Sequence, residues 1–317
     1  MGVEAGRLAR VGRGAPPQPA GVTGVLVPSL VNAHTHVGDF ALRGRIPPDI
    51  SLEALVAPPH GLKHRLLAQT PPLLLAKGMR EARAEALAAG TRVVYDFREG
   101  GPEGAAMLRE AWPEAVALGR PVAALAQADG LGLSAIRDVK PAEAKAQRDA
   151  ARAAGKRFAL HWSEAAREPL DALLDLAPDF AVHAVHATPA DLSRIAQARI
   201  PLVACPRSNA RLLKRLPDVR AWLDAGVVAC LGSDNAMLQS VSLLDELRFA
   251  RDAWPQVAPR ELARMAIDAP REALAPPGAM RAWREGAPAD FVALAPRGGE
   301  PLAALFATDS TVIAHAW

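Results

Sequence analysis

Short apolar runs alternate along the chain with longer stretches in which apolar residues recur every three or four positions. The short runs predict strands and the longer stretches predict helices. The predicted strands are Gly24–Val31, Thr91–Phe97, Pro121–Gln127, Arg157–His161, Phe180–Val185, Ile200–Cys205 and Val227–Gly232, with an eighth near Leu131–Ile136. The predicted helices are Leu73–Ala89, Gly104–Leu118, Pro141–Ala154, Pro169–Leu176, Pro189–Gln197 and Val219–Ala225.

This strand-then-helix alternation is typical of a parallel sheet covered by helices. Eight units over about 260 residues predict an α/β fold, a distorted (β/α)8 TIM barrel. An open, doubly wound sheet is the alternative, but no glycine-rich dinucleotide or phosphate loop opens any unit. Residues 128–141 are too few for a complete helix and strand, so we expect a degenerate unit there.

Two terminal arms flank the predicted barrel. We assign the barrel to residues 24–286 and the arms to residues 1–23 and 287–317. The C-terminal arm contains two strand-like pieces, Ala289–Leu294 and Thr311–Ala314. The arms therefore either pair into a small vestigial sheet, the remnant of a β-sandwich, or pack as irregular segments.

Composition removes several other classes of protein. Half of the 317 residues are hydrophobic, which excludes a disordered chain, and two cysteines are too few for a disulfide scaffold. The net charge of +3 comes from scattered arginines, and aromatic residues make up 4% of the chain, so no nucleic-acid surface is expected. Without a long apolar run or leader-like segment, we expect no membrane contact and a cytoplasmic protein that acts on a small molecule. A homo-oligomer stays open.

A pair of histidines at the end of the first strand is the strongest local feature. His34 and His36 lie two residues apart in Val31-Asn32-Ala33-His34-Thr35-His36. Side chains at i and i+2 of a strand project to the same face, so both imidazoles can bind one metal ion.

Three more chemical groups follow predicted strands. His161 is followed by Glu164, His183 lies near His186, and Asp234 follows the last predicted strand. Because the C-terminal ends of barrel strands surround one pocket, we expect these groups to meet there. A metal site that activates water also needs a group that moves its proton, and a glutamate suits that role.

Together these motifs resemble the amidohydrolase superfamily, in particular its mononuclear branch of cytosine, guanine and S-adenosylhomocysteine-type deaminases and related chlorohydrolases. The resemblance rests on Pro28–His36, His161–Glu164, His183 with His186, Cys205–Asn209, Leu231–Asn235 and Gly286–Phe291. It implies one divalent metal ion, usually zinc and sometimes iron, bound by His34, His36, His161 and Asp234. It also implies that Glu164 shuttles protons, that His183 orients the water or the substrate, and that Asp234 serves as a base.

Binuclear relatives carry a carbamylated lysine after the fourth strand, and Lys140 lies near that position. The His-x-x-Glu pattern and the Cys-Pro-Arg-Ser-Asn stretch favour a single metal ion instead. Whether His183 binds the metal or only orients water or substrate stays open from sequence.

Candidate substrate contacts lie in the long segment after the first strand and after two other strands, since loops on this face of a barrel form specificity walls. In the long segment they are Asp39, Arg43, His60, Lys63 and His64. After the second strand they are Asp96, Arg98 and Glu99, and after the seventh Arg207 and Asn209.

The sequence therefore predicts a metal-dependent hydrolase. Our leading hypothesis is hydrolytic deamination of an amino-substituted heterocycle, such as a purine, pyrimidine or pterin-like compound. Hydrolysis of a cyclic or linear amide C–N bond by the same site is the alternative. A remote alternative is a non-catalytic barrel used as a binding module.

Overall fold

The computed structural model describes residues 1–14, 19–57, 60–275, 283–295, 300–309 and 311–317. Within them the strands are β1 (Gly2–Glu4), β2 (Arg7–Arg10), β3 (Val25–Pro28), β4 (Leu30–His36), β5 (Thr91–Arg98), β6 (Val116–Gly119), β7 (Gly130–Ala135), β8 (Arg157–Trp162), β9 (Phe180–His183), β10 (Leu202–Ala204), β11 (Ala229–Leu231), β12 (Asp234–Asn235), β13 (Phe291–Leu294) and β14 (Val312–Ala316).

Helices connect most of these strands. They are α1 (Leu52–Val56), α2 (Leu62–Gln69), α3 (Pro72–Ala88), α4 (Gly101–Ala111), α5 (Pro141–Ala153), α6 (Leu170–Leu176), α7 (Pro189–Gln197), α8 (Pro206–Leu213), α9 (Val219–Asp224), α10 (Leu243–Ala253), α11 (Pro259–Ala266), α12 (Asp268–Ala273) and α13 (Ala303–Phe306). Among the described residues, no helix combines the length and the apolar character needed to cross a membrane.

The nine strands β4 to β12 form one parallel sheet with the order β11-β10-β9-β8-β7-β6-β5-β4-β12. Strand β11 pairs with β10, whereas β12 pairs with β4 and places Asp234 opposite Thr35. Only Gly232 and Ser233 separate β11 from β12, so one short stretch of chain forms both ends of the sheet. The sheet is therefore curled like a TIM barrel, and the C-terminal ends of its strands share one rim.

The third unit differs from the sequence prediction. The strand expected at Pro121–Gln127 is wrong, because Val122–Ala126 forms a 3-10 helix. The strand lies earlier, at β6, inside the predicted helix Gly104–Leu118. Pro113 disfavours helical geometry at the preceding residue, so α4 ends before it and the apolar residues that follow are free to extend. A 3-10 helix takes the place of an α-helix between β6 and β7, so the shortened connection lies before the expected residues 128–141, which contain β7 and a second 3-10 helix, Ile136–Asp138.

The predicted first strand, Gly24–Val31, divides at Ser29. Its first part, β3, pairs with β13, which also pairs with β14, while Leu30 begins the barrel strand β4. Both strand-like pieces of the C-terminal arm are therefore confirmed as strands. At the junction, Ser29 bonds Asp290 through its side chain, and Arg271 Nη2 donates to Asp290 Oδ2 at 3.0 Å.

The interior of the barrel forms the floor of the candidate site. One buried apolar cluster includes Val31, Tyr95, Phe97, Phe180 and Val203, which come from strands around the sheet. The ring of Phe97 packs edge-on against two histidines, His34 and His161, each with a centroid distance of 4.7 Å. The apolar core therefore supports the imidazoles from below.

Candidate active site

Six predicted side chains converge at the rim of the sheet. They are His34 and His36 in β4, His161 in β8, Glu164 after β8, His183 at the end of β9, and Asp234 in β12, and all are buried. The ring centroids of His34 and His36 are 4.9 Å apart, and those of His34 and His161 are also 4.9 Å apart. The predicted convergence of the four strand-end motifs is confirmed, whereas the roles of the residues stay predictions.

Unusual backbone geometry aims two of these side chains. His183 has a φ of 77° and Asp234 a φ of 60°, in the left-handed region that costs non-glycine residues about 1–3 kcal/mol. Such strain persists where the surrounding structure enforces it and is concentrated at functional sites. Close packing also restricts the position before Ser233 and Asp234: a Cβ at Gly232 would lie 2.8 Å from the Cβ of His34, so a larger residue would displace that histidine.

The imidazoles present free nitrogens to a common centre. His36 Nδ1 donates to the carbonyl of Phe97 at 3.0 Å, and His161 Nδ1 donates to that of Leu133 at 3.0 Å. Each bond leaves an Nε2 lone pair available to a metal. Both nitrogens of His34 are buried without a hydrogen-bond partner, which is costly unless a ligand satisfies one of them. Burial lowers the pKa of His34 to about 4 and that of His36 to about 3, which keeps both neutral.

Asp234 completes the donor set. Its Oδ1 lies 3.3 Å from Nε2 of His34 and 3.6 Å from Nε2 of His36. Its Oδ2 accepts from Ser208 Oγ and, at 2.7 Å, from Nδ2 of Asn235. Burial alone would raise the pKa of Asp234, but the nearby imidazole of His34 and those of His183 and His36 lower it well below its usual value. Three imidazoles and a carboxylate of this kind fit a divalent ion such as zinc.

Glu164 and His183 face each other beside this donor set. Glu164 Oε1 lies 3.5 Å from His183 Nε2. Burial raises the pKa of Glu164, although His183 opposes the shift, so this carboxyl holds a proton more readily than an exposed one. On its far side, His183 Nδ1 lies 3.1 Å from Nδ2 of Asn209.

A cavity of about 350 Å³ opens over these groups. The residues that line it include five of the converging groups: His36, His161, Glu164, His183 and Asp234. The rest of the lining includes Leu52, Glu53, Val56, Ala57, Lys63, His64, Glu99, Arg120, Ser134, Arg137, Asp138 and Asn235. The volume is that of a small-molecule site. Much of one wall comes from the β4–α3 segment, defined as residues 43–57 and 60–70.

Of the predicted substrate contacts, the structure brings Lys63, His64 and Glu99 to the cavity. Asp39 is buried behind the wall with its Oδ2 3.0 Å from Lys63 Nζ. Asp96 is also buried, and it accepts from the backbone N of Val37 at 2.5 Å. Both carboxylates hold the turn after β4 instead of facing the cavity.

The other predicted contacts also lie outside the cavity lining. The guanidinium of Arg43 bonds Glu85, with Nη1 to Oε2 at 2.6 Å, and Arg207 Nε bonds Glu246 Oε1 at 2.7 Å. His60 is an exposed turn residue, and Asn209 contacts His183. Such partners tie the loops to neighbouring helices, and sequence position alone does not reveal them.

Sequence reasoning missed several cavity residues. Arg120 follows β6, which the helical pattern concealed, and Arg137 and Asp138 follow β7 in the degenerate unit. A signal was present at Trp112-Pro113, which marks the helix end and would have placed Arg120 at a strand end. Lys140 is exposed and does not line the cavity, in agreement with the prediction against a metal-bridging lysine.

A buried charge cluster links the β4–α3 segment to the metal side of the cavity. Lys63 Nζ lies 3.0 Å from Asp39 Oδ2, 2.8 Å from Glu99 Oε1 and 3.1 Å from His36 Nδ1. Burial alone would lower the pKa of Lys63, but the two carboxylates raise it above its ordinary value. For Glu99, burial alone would raise the pKa, but the neighbouring Lys63 lowers it well below its usual value.

We expect Lys63→Met to destabilise the protein by about 3–5 kcal/mol, because it leaves the buried Asp39 without its ion-pair partner and removes one partner of Glu99, which retains Arg98 at 2.9 Å. Urea unfolding measures this loss. Lys77→Met is the matched control: Lys77 is 64% exposed beside Glu81, and its loss should change stability by less than about 0.5 kcal/mol. Equal effects of the two substitutions would contradict the buried cluster.

Comparisons with known proteins agree with this geometry. The model of the amidohydrolase family matches residues 138–315. An uncharacterized protein of Methanocaldococcus jannaschii is 33% identical over 274 residues, which cover 77% of this chain and 71% of that protein. A 5-methylthioadenosine/S-adenosylhomocysteine deaminase of Natronomonas pharaonis is 28% identical over 272 residues, which cover 71% of this chain and 61% of that protein.

Solved structures share the fold. The atrazine chlorohydrolase of Arthrobacter aurescens, complexed with zinc, superposes with a TM-score of 0.76 at 21% identity and covers 92% of this chain and 81% of its own. An adenosine deaminase from Xanthomonas campestris with bound zinc superposes with a TM-score of 0.74 at 22% identity and covers 92% of this chain and 76% of its own. From the family match and the site geometry, we conclude that the chain belongs to the amidohydrolase family and is a hydrolase of carbon–nitrogen bonds, with a group of histidines and an aspartate suited to a metal ion.

Proposed function

We propose that this enzyme catalyses hydrolytic deamination of an amino-substituted heterocycle, such as a purine, pyrimidine or pterin-like compound. The observation that carries the proposal is the placement of Glu164 and His183 beside His36, His161 and Asp234 in one cavity, with the buried His34 packed against two of these imidazoles. The deaminases of 5-methylthioadenosine and adenosine among the similar proteins support an amino-heterocycle as substrate.

In this proposal His34, His36, His161 and Asp234 hold one divalent ion, zinc in the first instance and iron as the other option. The chemistry supplied by such an ion is a lower pKa for water, near neutrality, and polarisation of the group under attack. The buried, unsatisfied nitrogens of His34 support this assignment.

The chain's own side chains move and hold the protons. Asp234 is kept ionised by its imidazole neighbours and can accept a proton from the attacking water. Glu164, a buried carboxyl, delivers a proton to a ring nitrogen, takes up the proton that the added oxygen releases and delivers it to the departing amine, and the proton held by Asp234 then restores Glu164. His183 lies beside Glu164, with its Nε2 3.5 Å from Oε1, and forms a hydrogen bond with the oxygen that adds to the ring carbon.

We further propose that residues 24–286 form a distorted (β/α)8 hydrolase domain and that the arms, residues 1–23 and 287–317, are a vestigial β-sandwich. Backbone hydrogen bonds of Leu8 with residues 286 and 287 support a pairing of the two arms, whereas the sheet of β3, β13 and β14 also takes in residues 25–28 of the range assigned to the barrel. Free, buried thiols at Cys205 and Cys230 suit a cytoplasmic protein. A homo-oligomer is compatible with the proposal.

The proposal is tested by metal analysis combined with an ammonia-release screen over amino-heterocycles. The expected result is about one metal ion per chain and ammonia release that Glu164→Gln abolishes. Hydrolysis of an amide or ring bond usually leaves nitrogen in the product, so turnover without ammonia would favour that alternative. A protein without metal, whose activity survives Glu164→Gln, would overturn the mechanism.

A further inference from the structure

Asn209 lies behind His183, on the side away from the cavity. It belongs to α8, is 1% exposed and does not line the cavity. Its Nδ2 lies 3.1 Å from Nδ1 of His183. The sequence suggested a substrate contact for Asn209, but the structure gives its amide an imidazole partner.

This contact determines which nitrogen of His183 carries a proton. An amide nitrogen has two hydrogens and no free lone pair, so it can only donate a hydrogen bond. With the amide oriented as the structure has it, His183 Nδ1 accepts this bond, and in the neutral imidazole the proton then lies on Nε2. Nε2 is the nitrogen that faces the cavity, 3.5 Å from Glu164 Oε1.

The location of this proton matters because the position of His183 would allow it either to bind the metal ion or to donate a hydrogen bond. Ligand atoms of His34, His161 and His183 lie within 4.8 Å of one another, so the three imidazoles could together bind an ion. Binding a metal requires a lone pair, which a protonated Nε2 lacks. The same Nε2–H can instead donate a hydrogen bond to an oxygen in the cavity.

We propose that Asn209 is a positioning residue that holds His183 in its Nε2–H form, so that His183 donates a hydrogen bond to the reacting oxygen and does not bind the metal. The role in catalysis rests on the proposed deamination, whereas the proton position does not. The neighbouring residue supports the idea, because Ser208 bonds Asp234 from the same turn of α8. The first turn of α8 thus orients two side chains of the site.

The test is ¹⁵N NMR of the zinc-loaded protein labelled at histidine, with the His183 signals assigned from the His183→Gln spectrum. We expect Nε2 to be protonated and Nδ1 to be unprotonated. In Asn209→Asp the carboxylate can only accept, so Nδ1 should gain a proton. In Asn209→Ala, which adds no charge and serves if the Asp variant fails to fold, both neutral forms should be populated.

Two further readouts separate positioning from folding. Both Asn209 variants should keep the zinc content of the unsubstituted protein, and kcat should fall about 10- to 100-fold with little change in KM. His186, whose imidazole has the backbone of Ala165 as its hydrogen-bond partner, provides an internal control whose signals should not move. A protonated Nδ1 in the unsubstituted protein, or unchanged His183 signals in both variants, would overturn the inference. Because the NMR readout needs no turnover, it stands even if deamination is wrong.

Discussion

His34→Ala should give a folded protein that carries no metal ion and has no hydrolase activity. His34 is fully buried at the centre of the donor set, packed against His36, His161 and Phe97. Removing its imidazole reduces the donor set from four side chains to three and takes away the one that contacts all the others, so we expect the remaining three to hold the ion too weakly for it to survive purification. Elemental analysis of the purified protein measures the metal, and circular dichroism measures the fold.

His60→Ala is the control for this experiment. His60 is exposed and does not line the cavity, so its removal should leave both metal content and activity unchanged. If His34→Ala retained stoichiometric metal, the donor set would be assigned wrongly. If both variants lost the ion equally, the loss would not report on the site.

Glu164→Gln should lower kcat by about 10²- to 10⁴-fold and retain the metal. Glutamine has nearly the same shape as glutamate, but its amide cannot accept a proton and pass it on. Ligand atoms of Glu164, His183 and Asp234 also lie within 4.8 Å of one another, but our assignment gives the ion to His34, His36, His161 and Asp234, so metal content should not change. Steady-state kinetics with elemental analysis on the same preparation separates the two effects.

Glu143→Gln is the matched control, since Glu143 is exposed in the first turn of α5. Its activity should equal that of the unsubstituted enzyme. Full activity in Glu164→Gln would show that another group moves the proton. Loss of metal in that variant would instead make Glu164 a ligand.

The centre of the site was predictable because strand periodicity and strand ends are local properties. His34 and His36 had to share a face if they lay on one strand, and the ends of parallel strands had to meet at one rim. That reasoning needed only approximate strand positions. It therefore held even though the first predicted strand divides at Ser29.

The walls of the cavity were less predictable because they depend on long-range partners. Lys63 and Arg43 belong to the same cationic segment, yet Lys63 turns inward toward Asp39 whereas Arg43 bonds Glu85 on α3. Nothing local in the sequence separates these two outcomes. Arg120 was missed for a different reason, since the apolar residues of β6 continue the pattern of the preceding helix.

Turnover in ¹⁸O-labelled water tests hydrolytic deamination most directly. An amino-heterocycle that the zinc-loaded enzyme is found to consume, whether or not ammonia appears, is converted in this water, and mass spectrometry follows the product while ammonia is quantified. The account predicts one ¹⁸O atom on the carbon that lost its amine and one ammonia per product molecule. A product that contains ¹⁸O but retains every nitrogen would contradict deamination and identify the reaction as hydrolysis of an amide or ring C–N bond.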